Sequence, residues 1–182
     1  MLFGIKSANP VKTRAQCVMI GIYEGADLSP TAKIIDQASE GYIKRILKRG
    51  DITGKIGETC VLHDVPSISA PRVMLVGLGK QESTSGAKYI QIVNSAINAL
   101  KKITAKNTLC CLAEATAGDE NLYWRTRKIV EQFNSGLYSF TEMQGTSKDK
   151  PSDLESIDLF CLDKSDHKTT RRAVKDGQAI SQ

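Results

Sequence analysis

Apolar residues recur along the chain in two rhythms. Short runs rich in apolar and β-branched residues predict strands at Leu2 to Lys6, Ala15 to Ile22, Thr59 to Leu62, Arg72 to Val76, Thr108 to Leu112 and Ile157 to Leu162, and within the second Cys17-Val18-Met19-Ile20 is a continuous run of the buried type. Between them lie stretches with a three-to-four-residue period. The first has an N-cap at Ser29 and Pro30 at the first helical position, with Ile35, Ala38, Tyr42 and Ile46 in register and Gly50 as terminator. This predicts one helix from Pro30 to Arg49. A second helix begins near Ala87, with Tyr89, Val93, Ala96, Ile97 and Leu100 on its inner face. A third, capped by Asp119, carries Leu122, Ile129, Val130, Phe133, Leu137 and Phe140 inward. Gln144 to Asp153, rich in Gly, Ser, Lys, Asp and Pro, predicts a surface loop. The final stretch, Thr170 to Ile180, is amphipathic, with Ala173, Val174, Gly177 and Ile180 on one side and no closing signal after it.

Strands alternating with helices predict an α/β fold, its sheet covered on both faces and mixed in direction because strands sit together early in the chain. No internal repeat is present. The 182 residues suit one domain with a core of its own. At 41% hydrophobic and 25% charged, the composition is that of a globular protein rather than a disordered one. No apolar run reaches the length of a membrane span, and the Met1 to Lys6 start turns polar too soon for a signal peptide. Five cysteines, Cys17, Cys60, Cys110, Cys111 and Cys161, form no C-x-x-C pair; they read as buried free thiols of a cytoplasmic protein. The net charge of +5 permits contact with nucleic acid without implying it.

Candidate chemistry is sparse. Val76-Gly77-Leu78-Gly79-Lys80 stands between a strand and a helix, where a phosphate loop would sit. A dinucleotide fingerprint needs a third glycine where Glu82 stands, and a P-loop needs Ser or Thr where Gln81 stands. The segment reads as a tight turn. His63 and Asp64, adjacent on a strand, point to opposite faces, and His167 lies in a polar segment, so neither histidine has a positioned carboxylate. No G-x-S-x-G elbow occurs. Tyr123-Trp124-Arg125, with Arg127 and Lys128, has the composition of a base-stacking platform, but aromatics on a helix more often pack on a neighbour. No catalytic or metal-binding residue is assigned.

One ordered series of segments identifies a relative: Leu28-Ser29-Pro30, Gly41-Tyr42-Ile43, Arg49-Gly50, Gly54-Lys55-Ile56-Gly57-Glu58-Thr59, Leu62-His63-Asp64-Val65-Pro66, Val76 to Lys80, Tyr123-Trp124-Arg125 and Leu137-Tyr138-Ser139-Phe140. In this order and spacing they resemble the N-terminal domain of bacterial leucyl aminopeptidase, the cytosol aminopeptidase family, over essentially the whole chain. The resemblance implies a macro-domain-like three-layer α/β/α fold with a mixed central sheet. It implies a non-catalytic domain over residues 1–165, and over 166–182 the start of a linker helix to a C-terminal catalytic domain.

For the full-length parent, the resemblance implies a metallo-aminopeptidase that removes N-terminal residues, preferably leucine, from peptides. Two divalent ions, manganese or zinc, would be bound in the catalytic domain, one polarising the scissile carbonyl while a bridging water attacks. The parent would be a cytoplasmic homohexamer. The Asn-Thr-Asp-Ala-Glu-Gly-Arg-Leu signature and the Asp-Ser-Gly-Gly ligand segment of that domain do not occur here. This chain alone is therefore expected to be inactive. A second expectation comes from relatives that also bind DNA in recombination or transcriptional control. The candidate contacts here are Lys44, Arg45, Lys48, Arg49, Lys101, Lys102, Arg171 and Arg172. A third, by analogy of fold alone, is ADP-ribose binding at the Gly77-Leu78-Gly79 turn.

Overall fold

A computed structural model describes residues 1–142 and 153–180. Six strands, β1 (Leu2–Lys6), β2 (Cys17–Ile22), β3 (Thr59–His63), β4 (Arg72–Gly77), β5 (Asn107–Cys110) and β6 (Ser156–Phe160), form a single sheet in the order β1-β6-β5-β2-β4-β3. Every neighbouring pair is parallel except β3 with β4. The sheet is mixed, as expected, with β3 as its antiparallel edge.

Among the described residues, five helices cover it: α1 (Pro30–Ala38), α2 (Tyr42–Arg49), α3 (Gly86–Leu100), α4 (Leu122–Glu142) and α5 (His167–Ile180). Period-two alternation along β2 separates two cores. Val18, Ile20 and Ile22 meet Ile35 of α1 and Ile43 and Ile46 of α2 on one face. Cys17 and Met19 meet Tyr89, Val93 and Ile97 of α3, Phe133 of α4 and Val174 of α5 on the other. The architecture is three-layered α/β/α.

Several local expectations shift. The single helix from Pro30 to Arg49 is two helices. Ser39 Oγ bonds back to the Ile35 carbonyl at 2.7 Å, and Glu40 and Gly41 then take left-handed conformations at φ 55° and 77°. The buried Asp36 carboxylate accepts from the Lys44 backbone N–H at 2.9 Å and ties the two helices together. Gly41 interrupts an otherwise helical pattern, and a glycine free of the Cβ penalty is where such a chain turns. Helix α4 is capped by Asn121 rather than Asp119: the Asn121 side chain accepts from Trp124 N–H at 2.9 Å. β5 ends at Cys110 and β6 at Phe160, each two residues early, because the chain turns over the end of the sheet. The inner face of α4 is buried at Ile129, Val130 and Phe133 and half-buried at Leu122 and Leu137; the Phe140 side chain and, except for Asp153, the loop expected at Gln144 to Asp153 lie outside the described residues.

Helix α5 packs on α4 and along β1. Gly177, in the last described turn of α5, has a physical reason, since a Cβ there would come within 2.9 Å of Val130 Cβ and 3.2 Å of the Arg127 carbonyl. The two helices pack so closely that only glycine fits between them.

Candidate functional site

In an open α/β sheet, ligands bind outside the carboxyl ends of the parallel strands, where successive connections diverge. Here that place is between β2 and β5: the chain leaves β2 through α1 and α2 on one face, and reaches and leaves β5 through α3 and α4 on the other.

The crest is filled by the chain itself. Thr53 to Gly57 lies across the ends of β2 and β4, organised by the Glu58 carboxylate, which accepts from Thr53 N–H at 2.9 Å, Thr53 Oγ1 at 2.7 Å and Lys55 N–H at 3.1 Å. Slight burial works against the charged form, but these bonds outweigh it and hold Glu58 below the usual carboxylate range. A Cβ on Gly77 would run into the Lys55 carbonyl oxygen, so the close approach of this loop requires glycine there. Every backbone N–H of the Gly77-Leu78-Gly79 turn is spent on the chain: Gly77 donates to the Glu58 carbonyl, Leu78 to Ile22 and Gly79 to Gly54. The turn is a structural junction, as its failed motifs suggested, and presents no free amide cradle.

The N-terminus of α1 is the other natural anion site on this crest. It is occupied by Glu114, from the short 3-10 turn after β5, whose two oxygens accept from Thr31 N–H at 2.8 Å and Thr31 Oγ1 at 2.7 Å. Burial pushes the Glu114 carboxyl up, partly offset by those bonds and by Ser29. Nothing in the sequence singled out Glu114, one carboxylate in an otherwise apolar stretch. Its role depends on the fold bringing residue 114 to residue 31. Beside it, Ala113, Glu114, Leu122, Arg125, Phe160, Cys161, Leu162 and Asp166 line a cleft of about 160 Å³. That is below the roughly 300 Å³ at which small-molecule sites begin. Arg125 is committed within the fold, donating to the carbonyls of Ala113 at 2.8 Å and Glu120 at 2.6 Å.

Tyr123-Trp124-Arg125 is not a stacking platform. Trp124 packs against the buried Tyr89 with ring centroids 6.0 Å apart and the planes tilted by 52°, and Tyr123 donates to Asp176 of α5 at 2.6 Å. His63 is exposed on the edge strand, and His167 opens α5 half-buried. Among the described residues, no three His, Cys, Asp or Glu side chains converge as metal ligands. The cysteines are free thiols. Burial pushes Cys17 up to about 11 and Cys110 to about 12, and raises Cys111 also, so none of the three is a thiolate nucleophile near neutrality. No described helix is long and apolar enough to cross a membrane.

The eight candidate nucleic-acid contacts do not form one surface. Lys44, Arg45, Lys48 and Arg49 lie on α2, against one face of the sheet. Lys101 and Lys102 follow α3 on the opposite face, near the β3 edge. Arg171 and Arg172 ride on α5 at the β1 edge. Arg45 donates to the Glu40 carbonyl and lies over Tyr42, while Arg172 lies over Tyr123 and 3.7 Å from Asp176.

Strand order, crossovers and crest together define a macrodomain-type α/β domain. The chain belongs to the cytosol aminopeptidase family, whose N-terminal domain model matches residues 19–147. Among solved structures, a tomato leucine aminopeptidase variant is similar over 100% of this chain and 36% of its own, at 22% identity and TM-score 0.71. The bottromycin maturation enzyme BotP is similar over 92% of this chain and 30% of its own, at 21% identity and TM-score 0.63. A Trypanosoma brucei macrodomain in complex with ADP is similar over 95% of this chain and 67% of its own, at 12% identity and TM-score 0.65. The chain thus spans about a third of the length of the two enzymes it resembles. At these identities the likeness establishes the fold alone.

Proposed function

We propose that these residues are the non-catalytic N-terminal domain of a metal-dependent leucyl aminopeptidase, serving assembly and access while a further domain binds peptides and performs the hydrolysis. The observation that carries this reading is the family match over residues 19–147. The filled crest supports it, because the turn amides and the α1 N-terminus are satisfied by the chain's own groups. We place the two divalent ions, manganese or zinc, outside these residues, in the further domain that performs the hydrolysis. Helix α5 would lead toward the catalytic domain, and the whole enzyme would be a cytoplasmic homohexamer.

Leucine-amide hydrolysis by purified residues 1–182, with manganese or zinc added, tests the reading. No turnover above the protein-free blank is expected. Metal-dependent turnover that co-elutes with the folded chain would overturn it.

DNA binding is the second reading, and α2 is the observation in its favour, because Lys44, Lys48 and Arg49 stand exposed together on that one helix.

A further inference from the structure

Among the described residues, β3 is hydrogen-bonded on one side only, to β4. The Glu58 carbonyl accepts from Gly77 N–H at one end of the pairing, and Asp64 N–H donates to the Pro71 carbonyl at the other. Antiparallel pairing alternates, so Cys60 and Leu62 also turn their backbone groups toward β4. Thr59, Val61 and His63 turn theirs outward. Native edge strands are usually guarded by lysine, proline, a bulge or a covering element. Thr59-Cys60-Val61-Leu62-His63 carries no lysine or proline.

Beside this open edge lies a groove of about 370 Å³ between β3 and α3. Its floor is apolar and half-buried at Val61, Ala99 and Ile103, with Ser95 and Asn98 on its helix side. Its charge has one sign: Lys102 stands exposed in the lining, which includes no Asp or Glu. Arg72, in register with His63, shares the face of Met74 and Val76, which is the α3 face.

We propose that this edge and groove form a docking site for an extended, acidic peptide segment of a partner protein. The segment adds as a seventh strand beside β3. Its backbone bonds to the outward groups of Thr59, Val61 and His63, and alternate side chains enter the groove, a carboxylate meeting Lys102. Charge selects this occupant over a second copy of the chain. Pairing β3 with its own copy would set two cationic grooves on the same side of the joined sheet, and like charges facing each other are unfavourable.

The probe is a blocked heptapeptide, Thr-Glu-Thr-Val-Thr-Glu-Thr, titrated into 15N-labelled protein. Saturable amide shifts and slowed hydrogen exchange at Thr59, Val61 and His63 are expected. A peptide of the same sequence N-methylated at alternate residues should lose the interaction, because it keeps the charge but not the ladder. Lys102→Glu, an exposed position, should weaken binding by roughly fivefold while leaving the spectrum of the free protein intact. No saturable shift up to about 1 mM peptide overturns the proposal. So do equal binding of the N-methylated or a lysine-for-glutamate peptide, shifts confined to another surface, and concentration-dependent self-association through β3.

Discussion

Glu114 shows how one side chain settles what a crest can do. It closes the α1 N-terminus from a distant part of the chain, and removing it strands the Thr31 amide and hydroxyl. Glu114→Ala should cost about 1–2 kcal/mol at neutral pH, read as a lower urea midpoint with unchanged slope. Glu114→Gln keeps an acceptor without the charge and should be much milder. The sign with pH follows from burial, which raises the native carboxyl above its ordinary 4.5. Between that value and the higher native one, the folded state holds more proton than the unfolded state, so this group's contribution to stability falls as pH rises. The stability difference between wild type and Glu114→Gln should therefore shift in favour of wild type as pH is lowered from 7 toward 4.5. A pH-independent difference would show that the carboxylate is not desolvated. None of this was legible in sequence, where Glu114 has no pattern to mark it. Gly77 and Gly79 were legible as a turn. Their interlock with Gly54 to Gly57 was not, because it depends on a loop twenty or more residues away folding over the same strand ends.

At the scale of elements, the apolar rhythm located every described strand and all but one described helix; burial on both faces leaves an unbroken apolar run at the centre of the sheet, where all six residues of β2 are buried. Boundaries failed where local turn chemistry outweighed periodicity. Glu40-Gly41 split one helix into two, and Asn121 capped α4 in place of Asp119. The α4–α5 contact carries a sharper consequence. Gly177 is a poor helix former, yet the seam admits no Cβ without displacing Val130 or the α4 backbone. Gly177→Leu should destabilise the domain by about 1–3 kcal/mol, despite its better helix propensity, and lower the thermal midpoint by several degrees. An unchanged or raised midpoint would mean that α5 does not pack as tightly on α4 as described.

Across the whole molecule, the same three layers that give macrodomains their crest are here arranged around an internally satisfied one. A thermal-shift titration with ADP-ribose should accordingly give no change in midpoint, whereas a concentration-dependent rise would show that the crest opens. The basic residues, which read as one group along the sequence, are divided among three patches because the sheet separates α2 from α3 and α5. DNA contact through α2 alone would engage three cations, giving a slope of log affinity against log salt of about −3. A flat titration removes that reading. Family membership was legible from the order of short segments, none of them distinctive alone; some mark caps that the fold requires, as Ser29 and Pro30 open α1 and Gly50 ends α2. If this domain serves a larger metallopeptidase, the coding sequence beyond the codon for Gln182 continues in frame into a second domain containing the Asn-Thr-Asp-Ala-Glu-Gly-Arg-Leu segment, and sequencing that stretch decides it; an immediate stop codon would contradict the reading.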